Sequence, residues 1–170
     1  MLRQILNELK EHAPFTLLGA LSGLVVMFFC SQLSSDISYS IFYTLHPIHV
    51  LLSALVTASM YEIHECSGEG KKCNLGILLI IGYIGSIGIA TLSDSIIPFL
   101  GEVLLDMPKR AIHIGFIEKW WLVNPMAILG ITIAYFKPKT KFPHAIHVLL
   151  STWASLFHIL MAMGGVVGAG

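Results

Sequence analysis

Two histidines three residues apart, heading an apolar run, occur twice in this chain: HPIHVLLS at residues 46–53 and HAIHVLLS at residues 144–151, with seven identities in eight. Residues three apart on an α-helix project from neighbouring positions on one face. His46 with His49, and His144 with His147, therefore each present a pair of imidazoles. Neutral imidazole is a ligand for divalent transition metals of the zinc, cobalt or nickel class. A buried cation of that charge also calls for a carboxylate, and the chain offers Asp94, between Ser93 and Ser95 in the run LGILLIIGYIGSIGIATLSDSIIP. An ionisable group inside an apolar span is costly and marks a functional site. Its expected partners are His46 and His49, joined by His113 or His158, with Glu118 within reach of the same site; the competing reading is a hydrated Asp capping the following turn.

Other chemistries fit some of the same residues. His158 follows His144 by fourteen residues, about 21 Å along a helix and within about 40° of the same face. His49 and His64 are fifteen residues apart and about 60° out of register. Two helices each carrying an outer and an inner imidazole, His49 with His64 and His144 with His158, have the layout of a subunit that holds two b-type haems and carries electrons. Against that, His64 lies in the polar stretch YEIHECSGEGKKC, and the repeat places Met60 opposite His158. An intramembrane hydrolase is a third reading, with Ser93, Asp94, His46, His49 and His158 around a metal-activated water. The chain has no H-E-x-x-H, no G-x-S-x-G and no phosphate-binding glycine loop, so no catalytic residue is assigned.

The polar stretch also holds Glu62, His64, Glu65, Cys66 and Cys73, all able to bind metal, but no C-x-x-C. It reads as a flexible cytoplasmic hairpin. Cys30, Cys66 and Cys73 are too few for a disulfide framework.

The elements that position these residues follow from composition. With 170 residues, 55% hydrophobic and 12% charged, and a mean hydropathy of +0.79, the chain has too little polar surface for a soluble globule. The reading is an all-α, polytopic bundle in the lipid bilayer. Ten basic and ten acidic residues cancel, so nothing points to nucleic acid. Turn-forming and charged residues divide the chain into five spans, at 14–31, 43–62, 75–97, 121–136 and 144–163. Residues 1–13 read as an interfacial helix with Leu2, Ile5, Leu6 and Leu9 on one face, and 98–121 as an outer interfacial segment ending in Trp120 and Trp121. The first apolar run shows no small-residue cleavage site and is expected to be an anchor. Pro47 and Pro143 are expected in the first turns of spans 2 and 5.

The repeat extends beyond the octapeptide. PFTLLG (14–19) precedes the first histidine pair and PMAILG (125–130) the second. Residues 14–62 and 121–170 thus form two units around a central span with Gly82, Gly85 and Gly88 at every third position. An odd number of crossings inverts one unit relative to the other, as in transporters that work by alternating access. Arg3, Lys10, Lys71, Lys72, Lys137, Lys139 and Lys141 fall on one side, against Lys109, Arg110 and Lys119. That bias puts the N-terminus in the cytoplasm and the C-terminus outside. On this map His46, His49 and Asp94 form an outer metal station, and His144 and His147 an inner one. The expected function is a small metal-ion transporter, with a homodimer or larger assembly supplying the protected volume that five helices lack; the bland alternative is a structural subunit whose histidines anchor helix ends.

Overall fold

The computed structural model describes residues 2–66, 73–138 and 141–164, and every regular element among them is helical. In chain order these are α1 (Leu2–Cys30), α2 (Ser35–Tyr61), α3 (Leu75–Thr91), α4 (Ile97–Leu104), α5 (Gly115–Glu118), α6 (Trp120–Phe136) and α7 (Lys141–Met163). A π-helical turn, Glu62–Cys66, continues α2, and a second, Leu92–Ile96, joins α3 to α4 without a break.

Local chemistry sets the helix ends. Ser34 has extended backbone angles, and its Oγ accepts the Ile37 N–H at 3.4 Å. Asp36 in the first turn complements the positive end of the helix. Asn74 caps α3 by accepting the N–H groups of Gly76 and Ile77 at 3.0 and 3.3 Å. At the end of α4 the chain turns through Asp106, whose φ of 50° is left-handed. There the Met107 N–H reaches the Glu102 carbonyl at 3.0 Å and the Asp106 N–H reaches that of Val103 at 3.2 Å. This paired closure stops a helix, and aspartate tolerates the left-handed position better than most side chains.

Several expected boundaries move. Because Ser34 caps α2, that helix begins eight residues before the expected start at 43, so His46 and His49 stand in the helix interior and Pro47 is not in a first turn. The stretch EIHEC stays helical as a π turn, and does not leave as a loop. Residues 2–12 do not form a separate interfacial helix, since α1 runs unbroken past Pro14. The central span runs on to Leu104 and takes in the start of the segment expected at the interface.

Four helical stretches are long and apolar enough to cross a membrane: Ala13–Cys30, Ser35–Cys66, Leu75–Leu104 and Ala145–Met163. They are compatible with an integral membrane protein. α6, with 17 residues, reaches about 25 Å at ~1.5 Å per residue, short of a hydrocarbon core of about 30 Å. Leu17, Leu24, Phe28 and Phe29 on α1 are exposed, as suits a lipid-facing helix.

α2 is the hub, packing on α3, α6 and α7, while α1 packs on α7. Lipid is as apolar as leucine, so helices in a bilayer associate through close packing and small residues more than through the hydrophobic effect. α6 follows that rule: its buried positions are Val123, Ala127, Gly130, Ile131 and Ala134. A Cβ at Gly130 would strike the Leu51 carbonyl oxygen and lie 2.9 Å from the Cβ of Ala54. On the other flank of α1, a Cβ at Gly19 would lie 2.8 Å from Thr152 Oγ1. Of the expected glycine stripe, Gly82 meets Ile131 and Ala58 and Gly85 meets Thr57, whereas Gly88 faces open space.

Candidate functional site

Asp94 is fully buried in the π turn between α3 and α4. A π turn admits one extra residue into the helix, and such bulges are frequent at functional sites. Its Oδ2 lies 2.9 Å from His46 Nδ1 and 2.6 Å from His49 Nδ1. Its Oδ1 accepts hydroxyls from Ser93 at 2.6 Å and from Ser151 of α7 at 2.9 Å. Four donors fill the roughly four acceptor positions of a carboxylate. Ser155 of α7 places its Oγ 2.8 Å from the carbonyl oxygens of both Ser93 and Ser151, tying α7 to the π turn.

The donors fix the histidines. A carboxylate that accepts at Nδ1 holds each imidazole with its proton there, so Nε2 carries the lone pair when the ring is neutral. His46 stacks on Phe42, with ring centroids 5.2 Å apart and planes 15° from parallel. Its Nε2 faces Gly115, where any Cβ would collide with it; glycine leaves the space the ring occupies. His49 Nε2 is buried and has no hydrogen-bond partner among the described residues. The ring of His147, from α7, lies 5.6 Å from that of His49 and 19° from parallel.

A second cluster lies beyond Phe42. His158 Nδ1 is 2.7 Å from Glu102 Oε1, both groups being buried, and the other oxygen of Glu102 accepts the Ala111 N–H at 3.3 Å. His158 Nε2 accepts the backbone N–H of His113 at 3.4 Å, so the proton of neutral His158 sits on Nδ1. The His113 ring meets Glu118 at 3.2 Å, and the Tyr43 hydroxyl donates to the same Glu118 oxygen at 2.6 Å. Burial pushes the Glu118 carboxyl up, but hydrogen bonds from Tyr43, His113 and the Ile114 amide outweigh that and hold it below the ordinary carboxylate range.

The sequence-predicted residues therefore divide. His46, His49 and Asp94 meet directly, and His147 joins them beside His49. The expectation of separate outer and inner stations is corrected in part: His49 stands in the interior of α2 and His147 of α7 lies beside it, so the second histidines of the two motifs meet. His113 and His158 belong to the Glu102 cluster instead. His144 is in the first turn of α7, and its side chain lies outside the described residues. His64 is exposed on the π turn after α2, fifteen residues from His49 and so about 22 Å along the helix. Cys66 and Cys73 form a disulfide with Cα atoms 4.9 Å apart. Two cysteines expected to be unconnected are therefore joined covalently, and residues 67–72 between them lie outside the described set.

Sequence reasoning passed over Ser151, Glu102, Phe42 and Gly115. Ser151 is the last letter of the repeated octapeptide, and Glu102 interrupts the apolar run IIPFLGEVLL; both signals were present. Among the described residues no three His, Cys, Asp or Glu side chains converge as a preformed ligand sphere, because the Nδ1 atoms of His46 and His49 point at the carboxylate. No protein-family model, curated protein or solved structure matches this chain.

Proposed function

We propose that the chain binds a divalent transition metal inside the membrane at His49 and His147, with His46 beside them, and moves it across. The observation that carries this reading is the buried, unpartnered Nε2 of His49. A buried polar nitrogen left unsatisfied is costly, and a metal ion would satisfy it. The partner groups suit that role. A histidine ligand ordinarily donates its other N–H to a carboxylate, which orients the ring and raises its basicity; Asp94 does this for His46 and His49 together. Zinc, cobalt and nickel fit the imidazole set.

Transport follows from the internal symmetry we assign, a five-span inverted repeat in which α6 is the short fourth crossing. Contacts equivalent under the repeat support it. Gly19 and Gly130 end the matching hexapeptides, Thr152 and Ala54 follow the matching octapeptides, and Gly19 packs on Thr152 as Gly130 packs on Ala54. α1 lies on α7 as α6 lies on α2. His49 and His147, also equivalent, face each other at the centre, where transporters of this symmetry hold substrate. The basic-residue bias puts the N-terminus in the cytoplasm and the C-terminus outside, and a homodimer in the bilayer is the proposed working unit. The haem arrangement finds less support, since both ring nitrogens of His158 are engaged and His64 is far from the site. Of the hydrolase set, Asp94 already accepts from His46, His49, Ser93 and Ser151, which leaves its carboxylate little capacity to take a proton from a metal-activated water.

Cobalt titration of the purified protein in detergent, followed by visible absorption, tests the reading. His49→Ala and His147→Ala are each expected to weaken cobalt binding at least tenfold, and the double variant to lose little more, because ligands of one ion are not additive. Wild-type affinity in both single variants would end the metal proposal.

A further inference from the structure

The Glu102–His158 pair is buried, protonatable and unused by the metal site. Glu102 comes from α4, and the turn at Asp106 folds the following segment back so that Ala111 and His113 cover the pair with backbone N–H groups. Further charge around His158 comes from His113 and Glu118 on one side and from Asp94 and His46 on the other. Tyr43 binds the outermost carboxylate, Glu118. On the far side of His113 lies an open cavity of about 230 Å³ lined by Ser35, Asp36, Tyr39, Lys109, His113 and Met161. His113 is thus shared between that cavity and the buried pair. Towards the metal site, the Phe42 ring is stacked on His46 and stands edge-on to His158, 5.4 Å between centroids. It separates the two clusters without moving them far apart: through Phe42 the His46 and His158 rings are no more than about 11 Å from each other.

We infer that Glu102 and His158 form a proton station coupled to the metal site, binding a proton when the metal is absent and releasing it to the His113 cavity when the metal is bound. This rests on the metal reading above. The coupling is electrostatic. A divalent charge held by His49 and His147 lies about 16 Å from His158, eleven residues further along α7, and at an effective dielectric constant of ~20 weakens proton binding at the pair roughly thirtyfold. Phe42 blocks a direct hydrogen-bonded path, so ion and proton use separate routes. The proton count is bounded: Glu102 with neutral His158 carries one negative charge, the protonated pair carries none, and up to one proton leaves for each metal ion taken up. Reciprocity requires that a proton on the pair weaken metal binding by the same factor.

The test measures protons released on adding zinc to weakly buffered protein in detergent at near-neutral pH, in wild type, Glu102→Gln and His158→Gln. Metal ligands release protons themselves, so the informative quantity is the difference between proteins. Both variants are expected to bind zinc and to release fewer protons per ion, by up to one; equal release in all three would overturn the proposal. Should wild type bind no zinc, cobalt or nickel, the metal reading fails, and infrared difference spectra across pH 5–9 then judge the station alone. A protonated-carboxyl band lost in Glu102→Gln sustains the proton station without its coupling to metal, and no such band overturns it too. Size-exclusion profiles matched to wild type exclude misfolding, and of the two substitutions Glu102→Gln is nearly isosteric.

Discussion

The rings of His49 and His147 lie 5.6 Å apart and 19° from parallel, although each is the second histidine of a different copy of the octapeptide. In the inverted repeat proposed above, the meeting of equivalent residues is where the symmetry axis would pass. Asp94 sits beside that place but belongs to neither copy, and it binds the two halves unequally: α2 reaches it through two imidazoles and α7 through a single hydroxyl. Asp94 thus takes imidazoles from one copy and a hydroxyl from the other.

Asp94→Asn tests that anchor. The substitution keeps the shape but removes the charge that both imidazoles face, and it turns one acceptor edge into a donor. Breaking one side of a buried, hydrogen-bonded charge cluster costs about 3–5 kcal/mol, so the variant should unfold at clearly lower denaturant in mixed micelles and bind cobalt poorly. Stability within 1 kcal/mol of wild type would show that the hydrogen bonds to Asp94 contribute little.

A glycine series separates close packing from helix propensity. Gly130→Ala puts a methyl into the Leu51 carbonyl and should destabilise by about 1–3 kcal/mol. Gly88→Ala meets nothing within 4 Å and should be neutral or stabilising by up to about 1 kcal/mol. Gly115→Ala reports through the site instead, since the added methyl displaces the His46 ring. Its expected signature is a changed cobalt spectrum together with a loss of about 1–3 kcal/mol of stability, read by absorption and thermal melting together.

Acid should loosen the outer cluster through Glu118. Its carboxyl is held below the ordinary range in the folded protein, so its contribution is present above the unfolded value, near 4.3, and disappears as pH falls through the lower folded value. The group is partly exposed, so solvent screening keeps the effect modest. Wild type should lose melting temperature between pH 5 and 3 more steeply than Glu118→Gln. Parallel pH profiles would remove Glu118 as a contributor.

Two signals disagree about which way the chain faces. On the proposed five-span topology, seven basic residues (Arg3, Lys10, Lys71, Lys72, Lys137, Lys139, Lys141) against three (Lys109, Arg110, Lys119) would put the Cys66–Cys73 hairpin in the cytoplasm, whereas a stable disulfide is commoner in oxidising compartments. Charge bias governs orientation during insertion and is the stronger argument. In a Cys30→Ala background, an impermeant maleimide should label Cys66 and Cys73 only after the cells are reduced and opened. Labelling of reduced, intact cells would reverse the assignment.

The helical class and the apolar stretches were legible because composition and run length decide them. Asp94 and the histidine pairs were legible because polar groups stand out in an apolar run. The depth of His46 in α2 was not, since its start depends on a serine cap at Ser34 followed by polar residues that read as loop. The π turn was invisible because its sequence, LSDSI, is compatible with an ordinary helix, and only tertiary contacts from Ser151 and Ser155 favour the wider turn. Glu102 was passed over, because nothing local says that a left-handed Asp106 will fold the chain back over it.

The extra residue wound into the turn at Leu92–Ile96 has one more consequence. Everything after it is rotated by about 100° from where an unbroken helix would have placed it. α3 can thus turn Gly82 and Gly85 towards Ala58 and Thr57 of α2 while α4, on the same rod, aims Glu102 at α7. Removing a single residue there would restore an unbroken helix and swing Glu102 about 100° away from His158.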